Sequence, residues 1–274
     1  MLIQNLEKKV QEYKNRNLTN EVIKNYLKEY IQLFVLEFLY NQKKYQDLIF
    51  TGGSCLRLCY GLNRLSEDLD LDSFKKIDKQ KLAEEIKEYF KKKLQYQDLE
   101  ISIKGIGKKI YLKFPILKLL KLSKTGENDK LYIKIEIEKV SKAFFKLEKT
   151  LILKDGFSFF IKNYDLPSLM AGKINAILFR LFFKGKENKI TFKGRDWYDL
   201  IWYFQKEIKP NLACLKKITK ISDEKEIFKR LDKIAMGLNL NYLKSDIENL
   251  FESRKFVNDF VENFMDLYKK YRNI

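Results

Sequence analysis

Histidine is absent from the 274 residues of the sequence, and cysteine and proline are scarce. Without histidine, the chain cannot form a histidine-based catalytic triad, a histidine-ligated zinc site or a histidine general base. The three cysteines, Cys55, Cys59 and Cys214, are odd in number and lack Cys-x-x-Cys spacing, which argues against a disulfide framework. Only three prolines and eleven glycines interrupt the chain, so we expect long helices.

Long hydrophobic runs are missing as well. The longest apolar stretch, residues 31–40, contains Gln32 and Glu37 and is too short to span a bilayer, and the N-terminus lacks the apolar run of a signal peptide. We therefore expect a cytoplasmic protein without a membrane partner. Its apolar content of 45% is typical of a folded globular chain, and its length allows one large domain or two lobes.

Basic residues outnumber acidic ones by 55 to 37, which gives a formal net charge of +18. Such an excess favours a polyanionic partner such as RNA or DNA. The alternative is a lysine-rich composition with the lysines spread over solvated faces. Because the lysines are scattered along the sequence, the charge alone does not choose between these two interpretations.

Apolar periodicity predicts an α/β lobe with N-terminal helices over residues 1–160 and a helical lobe over residues 161–274. Thr19 or Asn20 is expected to cap one amphipathic helix of the first lobe, and Asp78 to cap another. Strand patterns follow over residues 99–104, 109–114, 131–140, 151–153 and 157–161, with a glycine turn at Gly105 and Gly107.

Helical patterns dominate the second lobe. Asp165-Leu166-Pro167 predicts the start of a helix that runs over residues 168–183, because proline is tolerated in a first helical turn. A second helix carries the apolar stripe of Trp197, which we interpret as core packing. Ser245 and Glu248 have the spacing of a capping box near the C-terminus.

The stretch over residues 47–74 combines two features that serve nucleotide chemistry. A short apolar strand leads into the turn Gly52-Gly53 and a helix from Ser54, whose free N–H groups can hold a phosphate. A strand then carries acids at alternate positions, so Asp68 and Asp70 share one face and can hold hard divalent cations. Asp72 continues the alternation, but we interpret it as a surface acid.

Four separated segments of the chain resemble the AbiEii/MenT-type nucleotidyltransferase toxins of the polymerase-β-like superfamily. The first segment is GGSCLRLCYGLNRLSEDLDL, with the glycine-serine turn and the R-x-S-E-D-x-D strand in order. The others are the strand Ile135-Glu136-Ile137, the helix segment LMAGKINA around Lys173, and KGRDWYDL around Asp196. The resemblance covers roughly residues 48–205.

The resemblance implies a bilobed nucleotidyltransferase with a polymerase-β-like mixed-sheet lobe, whose active-site cleft the helical lobe completes. It implies an NTP substrate, Mg²⁺ or Mn²⁺ as cofactor, the 3′ end of tRNA as the RNA acceptor and a cognate antitoxin in a toxin–antitoxin or phage-defence pair. The catalytic residues implied are Asp68, Asp70, Glu136, Lys173 and Asp196. The nucleotide-binding residues implied are Gly52, Gly53, Ser54, Arg57 and Lys173, and the metal ligands are Asp68, Asp70 and Glu136.

Each implied residue has a role in an in-line attack on the α-phosphate. Asp68 and Asp70 would hold both metal ions, and Glu136 would bridge to the one that activates the acceptor, with Glu136 or solvent accepting the proton. Ser54 and the turn amides would hold the β- and γ-phosphates. Lys173 would neutralise the triphosphate, and Asp196 would orient Lys173 or contact the base or ribose.

Several assignments have competitors. Glu138 lies on the same strand face as Glu136, and Asp199 lies one helical turn after Asp196, which could instead cap its helix or pair with Arg195. Arg57 and Arg64 fit either a nucleotide contact or a surface position.

Ser66 should share the metal face, where phosphorylation would block triphosphate binding. The competing functions are transfer to a protein hydroxyl and a non-catalytic module that binds NTP or RNA.

Overall fold

The computed structural model describes residues 2–105, 109–124, 126–141, 145–180 and 192–272. The predicted turn residue Gly107 and the last residues of the helix predicted over 168–183 lie outside these ranges. The chain divides into two compact units, one formed by Met1–Lys142 with Glu148–Asn163 and the other by Ala143–Leu147 with Tyr164–Ile274. The predicted boundary at residue 160 falls inside a strand, Phe157–Tyr164.

A mixed sheet of seven strands organises the α/β part of the chain, which confirms the predicted fold class. Its helices are α1 (Leu2–Asn15), α2 (Asn20–Tyr40), α3 (Gly52–Tyr60) and α4 (Lys79–Lys93). Its strands are β1 (Ile49–Thr51), β2 (Asp68–Ser73), β3 (Glu100–Lys104), β4 (Lys109–Pro115), β5 (Lys130–Lys139), β6 (Leu147–Lys154) and β7 (Phe157–Tyr164). They lie in the order β3-β4-β5-β2-β1-β7-β6.

Local sequence explains where the helices of this unit begin. The hydroxyl of Thr19 accepts a hydrogen bond from the N–H of Val22 and caps α2, and the carboxylate of Asp78 accepts one from the N–H of Lys81 and caps α4. Both predicted caps are therefore confirmed. Helix α2 packs against β5 and helix α4 against β3, so these helices cover one face of the sheet.

The helical unit contains α5 (Leu166–Phe179), α6 (Gly194–Gln205), α7 (Leu212–Thr219), α8 (Glu224–Met236), α9 (Leu240–Ile247), a 3-10 turn (Glu248–Leu250), α10 (Arg254–Glu262) and α11 (Phe264–Arg272). The predicted helix start at Asp165-Leu166-Pro167 is confirmed, and the side chain of Asp165 caps α5 by accepting from the N–H of Ser168. The ring of Trp197 packs edge-to-face on Phe264 and Tyr268, so the aromatic stripe of α6 belongs to the core.

The capping box predicted at Ser245 is wrong. Ser245 lies inside α9, where its hydroxyl donates to the carbonyl of Tyr242. Asn239 caps α9 instead, and its side chain accepts from the N–H groups of Asn241 and Tyr242. An asparagine satisfies the same free N–H groups as a serine, and here it stands six residues earlier in the chain.

From the sequence we expect neither disulfide bonds nor membrane-spanning helices. All three cysteines are free thiols, as expected, and Cys55 and Cys214 are buried. Within the described ranges, no helix has the length and apolar character needed to cross a bilayer.

Candidate active site

Two adjacent parallel strands bring the predicted acids together. In β2, Asp68, Asp70 and Asp72 are half-buried and alternate with buried leucines. The Cα atom of Asp70 lies opposite that of Glu136 in β5, whereas the exposed Glu138 lies opposite Asp72. Because paired residues of neighbouring strands share a face, all five carboxylates project from the same side of the sheet. The register thus places Glu136, not Glu138, beside Asp70.

Gly52 allows the carboxylate of Asp70 to lie on the turn at the N-terminus of α3. A Cβ atom at Gly52 would lie 2.3 Å from Oδ2 of Asp70, far inside van der Waals contact. The φ angle of Gly52 is also +75°, a left-handed conformation that strains any residue with a side chain. Glycine is therefore required here for both its backbone angle and its small size.

Gly53 makes similar room for Arg64. A Cβ atom at Gly53 would lie 2.6 Å from Nη2 of Arg64 and 2.9 Å from Oγ of Ser66. Arg64 is only 2% exposed, and its Nη1 donates to the carbonyl of Leu65 at 2.9 Å. Arg64 is therefore not a surface residue, and its guanidinium lies at the glycine turn.

Ser54 and Arg57 have internal partners in this structure. The hydroxyl of the buried Ser54 donates to the backbone carbonyl of Asp68 and joins α3 to β2. The guanidinium of Arg57 pairs with Glu29 of α2, and its Nη1 donates to the carbonyls of Leu62 and Asn63, each at 3.1 Å. Arg57 therefore holds the loop that connects α3 to β2.

Glu29 and Lys134 are two charged residues that the sequence interpretation missed. Glu29 is buried and also pairs with Lys154, and nothing in the apolar pattern of α2 singles it out. Nζ of Lys134 lies 2.9 Å from Oδ2 of Asp68 and 3.3 Å from Oε2 of Glu136. Alternation along β5 already put Lys134 on the face of Glu136, but only the register brings it to Asp68.

The charge of Lys134 depends on its acidic neighbours. Burial, the largest single effect, lowers the pKa of its ammonium group. The charges of Asp68, Asp70 and Glu136, with the hydrogen bond that Lys134 donates to Asp68, outweigh burial and raise that pKa above its ordinary value. Lys109 adds a second cation, with its Nζ 3.5 Å from Oε1 of Glu136.

The donor set of this face suits a hard divalent cation. Carboxylate oxygens fixed on rigid strands are the ligands that Mg²⁺ and Mn²⁺ take, and Asp68 and Asp70 supply them. Among the described residues, however, no three acidic or cysteine side chains converge as a ready-made metal-binding group. The ammonium of Lys134 contacts two of the three predicted ligands and competes for the same oxygens.

The helical unit holds a second group of buried charges. Nζ of Lys173 lies 2.7 Å from Oδ1 of Asp196 and 2.8 Å from Oδ2 of Asp199, which is fully buried. Nη1 of Arg180 lies 2.8 Å from Oδ2 of Asp196. The structure thus places Asp196 against Lys173. It also brings Asp199, the competitor of Asp196 in the sequence, to the same lysine, and it adds Arg180, which the sequence analysis missed.

The electrostatics of this group keep Asp196 ionised. Burial, the largest single effect, would raise the pKa of its carboxyl group. The positive charges of Lys173 and Arg180 outweigh burial and lower the pKa to about 2. Lys173 is therefore held by a fixed negative charge.

A cavity of about 740 Å³ lies elsewhere in the helical unit. Its wall includes Phe204, Phe228, Tyr271 and Arg272, and none of the predicted site residues lines it. The cavity therefore takes no part in the chemistry predicted for the acids and for Lys173.

Comparison with known families identifies the class of protein. Residues 35–264 match the sequence model of a protein family that is described as nucleotidyl transferase AbiEii toxin, Type IV toxin–antitoxin system. The match covers most of the chain, so the chain belongs to the AbiEii family of nucleotidyltransferase toxins, which confirms the resemblance. A search of curated proteins returned no significant match.

The solved structures that are similar to this chain include MenT4 and JHP933. MenT4, a nucleotidyltransferase toxin from Mycobacterium tuberculosis H37Rv, is 18% identical, with a TM-score of 0.49, over 73% of this chain and 64% of MenT4. The chain thus spans less than two thirds of the length of MenT4. JHP933 from Helicobacter pylori is also 18% identical, with a TM-score of 0.46, over 91% of this chain and 94% of JHP933.

Proposed function

We propose that this chain is a metal-dependent nucleotidyltransferase that moves a nucleoside monophosphate from an NTP to the 3′ end of tRNA. We further propose that it acts as the toxin of a toxin–antitoxin or phage-defence pair. The observation that carries the proposal is the position of Asp70, which lies in register with Glu136 and on the Gly52 turn at a helix N-terminus. Family membership supports the reaction class.

The reaction forms a bond between the acceptor hydroxyl oxygen and the α-phosphorus and breaks the bond from that phosphorus to the leaving pyrophosphate. Asp68 and Asp70 would hold the divalent cation, which would supply positive charge for the phosphate oxygens. The N–H groups that begin α3 would bind a phosphate of the NTP. We assign the proton of the acceptor hydroxyl to Glu136 or to solvent, since the chain has no histidine.

Lys173 is the cation that we assign to the triphosphate. An ammonium group has three N–H donors, and Asp196 and Asp199 take two of them in this structure. The two carboxylates fix the position of the third donor, so little side-chain entropy is lost when a phosphate oxygen binds.

An RNA acceptor is supported by charge. A chain with a net charge of +18 attracts a polyanion and releases counterions when it binds one. A protein hydroxyl offers no such attraction, so RNA is the acceptor that we favour.

The test is transfer of label from each of the four α-labelled NTPs to total tRNA with Mg²⁺ or Mn²⁺. Asp70→Asn should abolish transfer. Asp72→Asn is the matched control, because Asp72 lies two residues further on the same strand face, and this variant should stay active. Label that appears only on protein would move the acceptor to a protein hydroxyl. No label on any acceptor would refute transfer and favour a non-catalytic binding module.

A further inference from the structure

The ammonium of Lys134 lies among the predicted metal ligands. Lys134 bridges two strands, because its ammonium contacts Asp68 in β2 and Glu136 in β5. Its Cα atom lies directly opposite that of Asp68, so the contact follows from the strand register and needs no bend in the backbone. Lys109 contacts the other oxygen of Glu136, so both carboxylate oxygens of that residue face ammonium groups.

Charge balance shows what this arrangement permits. The three carboxylates of Asp68, Asp70 and Glu136 carry three negative charges. The ammonium groups of Lys134 and Lys109 supply two positive charges, so one divalent cation already more than neutralises the three carboxylates. A second divalent cation would raise the positive charge of this group well above its negative charge, which is unfavourable even where water screens it.

We propose that Lys134 stands in for the second divalent ion, so that the site binds one Mg²⁺ or Mn²⁺ per chain, at Asp68 and Asp70. Glu136 is then a lysine-paired carboxylate and not a metal ligand. The proposal rests on the proposed function, since it assigns the metal content of the same site. It is nevertheless a statement about cation binding and can be tested without any catalytic turnover.

The test is a titration of the full chain with Mn²⁺ in the absence of nucleotide, with free Mn²⁺ measured by electron paramagnetic resonance. Wild-type protein should bind one Mn²⁺ tightly. Lys134→Met keeps the length of the side chain but removes its charge, so it should add a second site. The second ion should bind at least about tenfold more tightly than any additional Mn²⁺ does in the wild type.

Two variants serve as controls. Lys139→Met removes a charge from the exposed end of the same strand, and it should bind one Mn²⁺ like the wild type. Lys134→Arg keeps the positive charge and should also bind one. Thermal unfolding of each variant shows whether it is folded, and Lys134→Gln provides a second neutral side chain if the methionine variant is not.

Several results would overturn the proposal. If the wild type bound two Mn²⁺ ions tightly, the proposal would be wrong whatever the variants show. It would also be wrong if every neutral Lys134 variant bound only one Mn²⁺ ion. No tight Mn²⁺ in any protein would refute both this inference and the metal dependence of the proposed function. By contrast, one ion in the wild type and two in Lys134→Met, without label transfer to any acceptor, would leave this inference standing and remove the proposed function.

Discussion

Replacing Gly52 by alanine tests whether the glycine turn exists to accommodate Asp70. Alanine at this position is strained because φ is +75°, and its Cβ atom would lie 2.3 Å from the carboxylate oxygen of Asp70. Gly61, at the other end of α3, has a φ of +74° and nothing within 4 Å of a Cβ atom. Gly61→Ala therefore carries the same backbone strain without the collision.

The two substitutions should differ in magnitude. Backbone strain alone should cost Gly61→Ala about 1–2 kcal/mol of unfolding free energy. Gly52→Ala should cost about 2–4 kcal/mol, because the carboxylate of Asp70 must also move by about 1 Å to reach an ordinary contact distance. A displacement of this size in a group that positions the reaction lowers its rate by about 100-fold.

Urea unfolding and label transfer to tRNA measure the two effects on the same proteins. Gly61→Ala should lose stability and keep its rate at a temperature where it is folded, whereas Gly52→Ala should lose both. If Gly52→Ala were as active as Gly61→Ala under those conditions, the position of Asp70 on the turn would not matter for the reaction, and the candidate site would have to be reassigned.

Further predictions concern charged groups and helix caps. The pKa of Asp196 is about 2 against an ordinary value of 3.8, so its ionised form should stabilise the fold by roughly 2 kcal/mol above pH 4. That contribution should disappear as the pH falls from 4 to 2, and Asp196→Asn should lack this part of the pH dependence in urea unfolding. Arg57→Ala should lower the unfolding free energy by about 2–3 kcal/mol through loss of the Glu29 pair, while the KM for NTP stays unchanged in steady-state assays. Asn239→Ala should cost about 1 kcal/mol in thermal unfolding and Ser245→Ala less than about 0.5, because only Asn239 caps a helix.

Local chemistry explains why much of the fold could be predicted from the sequence. Thr19, Asp78 and Asp165 cap helices because a short polar side chain just before an apolar period satisfies free N–H groups nearby. Strand β2 was predicted from alternation over only six residues. The mistaken cap at Ser245 shows the limit, since a capping-box spacing also occurs inside a helix, where i and i+3 residues are neighbours.

Pairing between distant segments could not be predicted in the same way. Lys134 lies 66 positions after Asp68 in the sequence, and only the parallel register of β2 and β5 brings them together. The sequence alone allows both a nucleotide contact and a surface position for Arg64, because its burial at the glycine turn depends on the space that Gly53 leaves and on the path of the intervening loop. Such contacts depend on register and loop path, and a single sequence specifies neither directly.

The chain as a whole is positively charged, whereas the carboxylates of the candidate site are negatively charged. The overall charge affects the approach of a substrate, and the carboxylates affect its binding. In the function that we propose, the excess of positive charge over the whole chain would draw an anionic NTP or RNA towards the molecule, and salt screens that attraction beyond about 8 Å at physiological ionic strength. The candidate site itself presents acids to the same substrate. An anionic phosphate can bind there only when cations cover those acids, which is the role that we assign to a divalent ion and to Lys134. Monovalent salt should therefore slow the association of RNA, whereas removal of divalent ions should prevent transfer even from bound substrates.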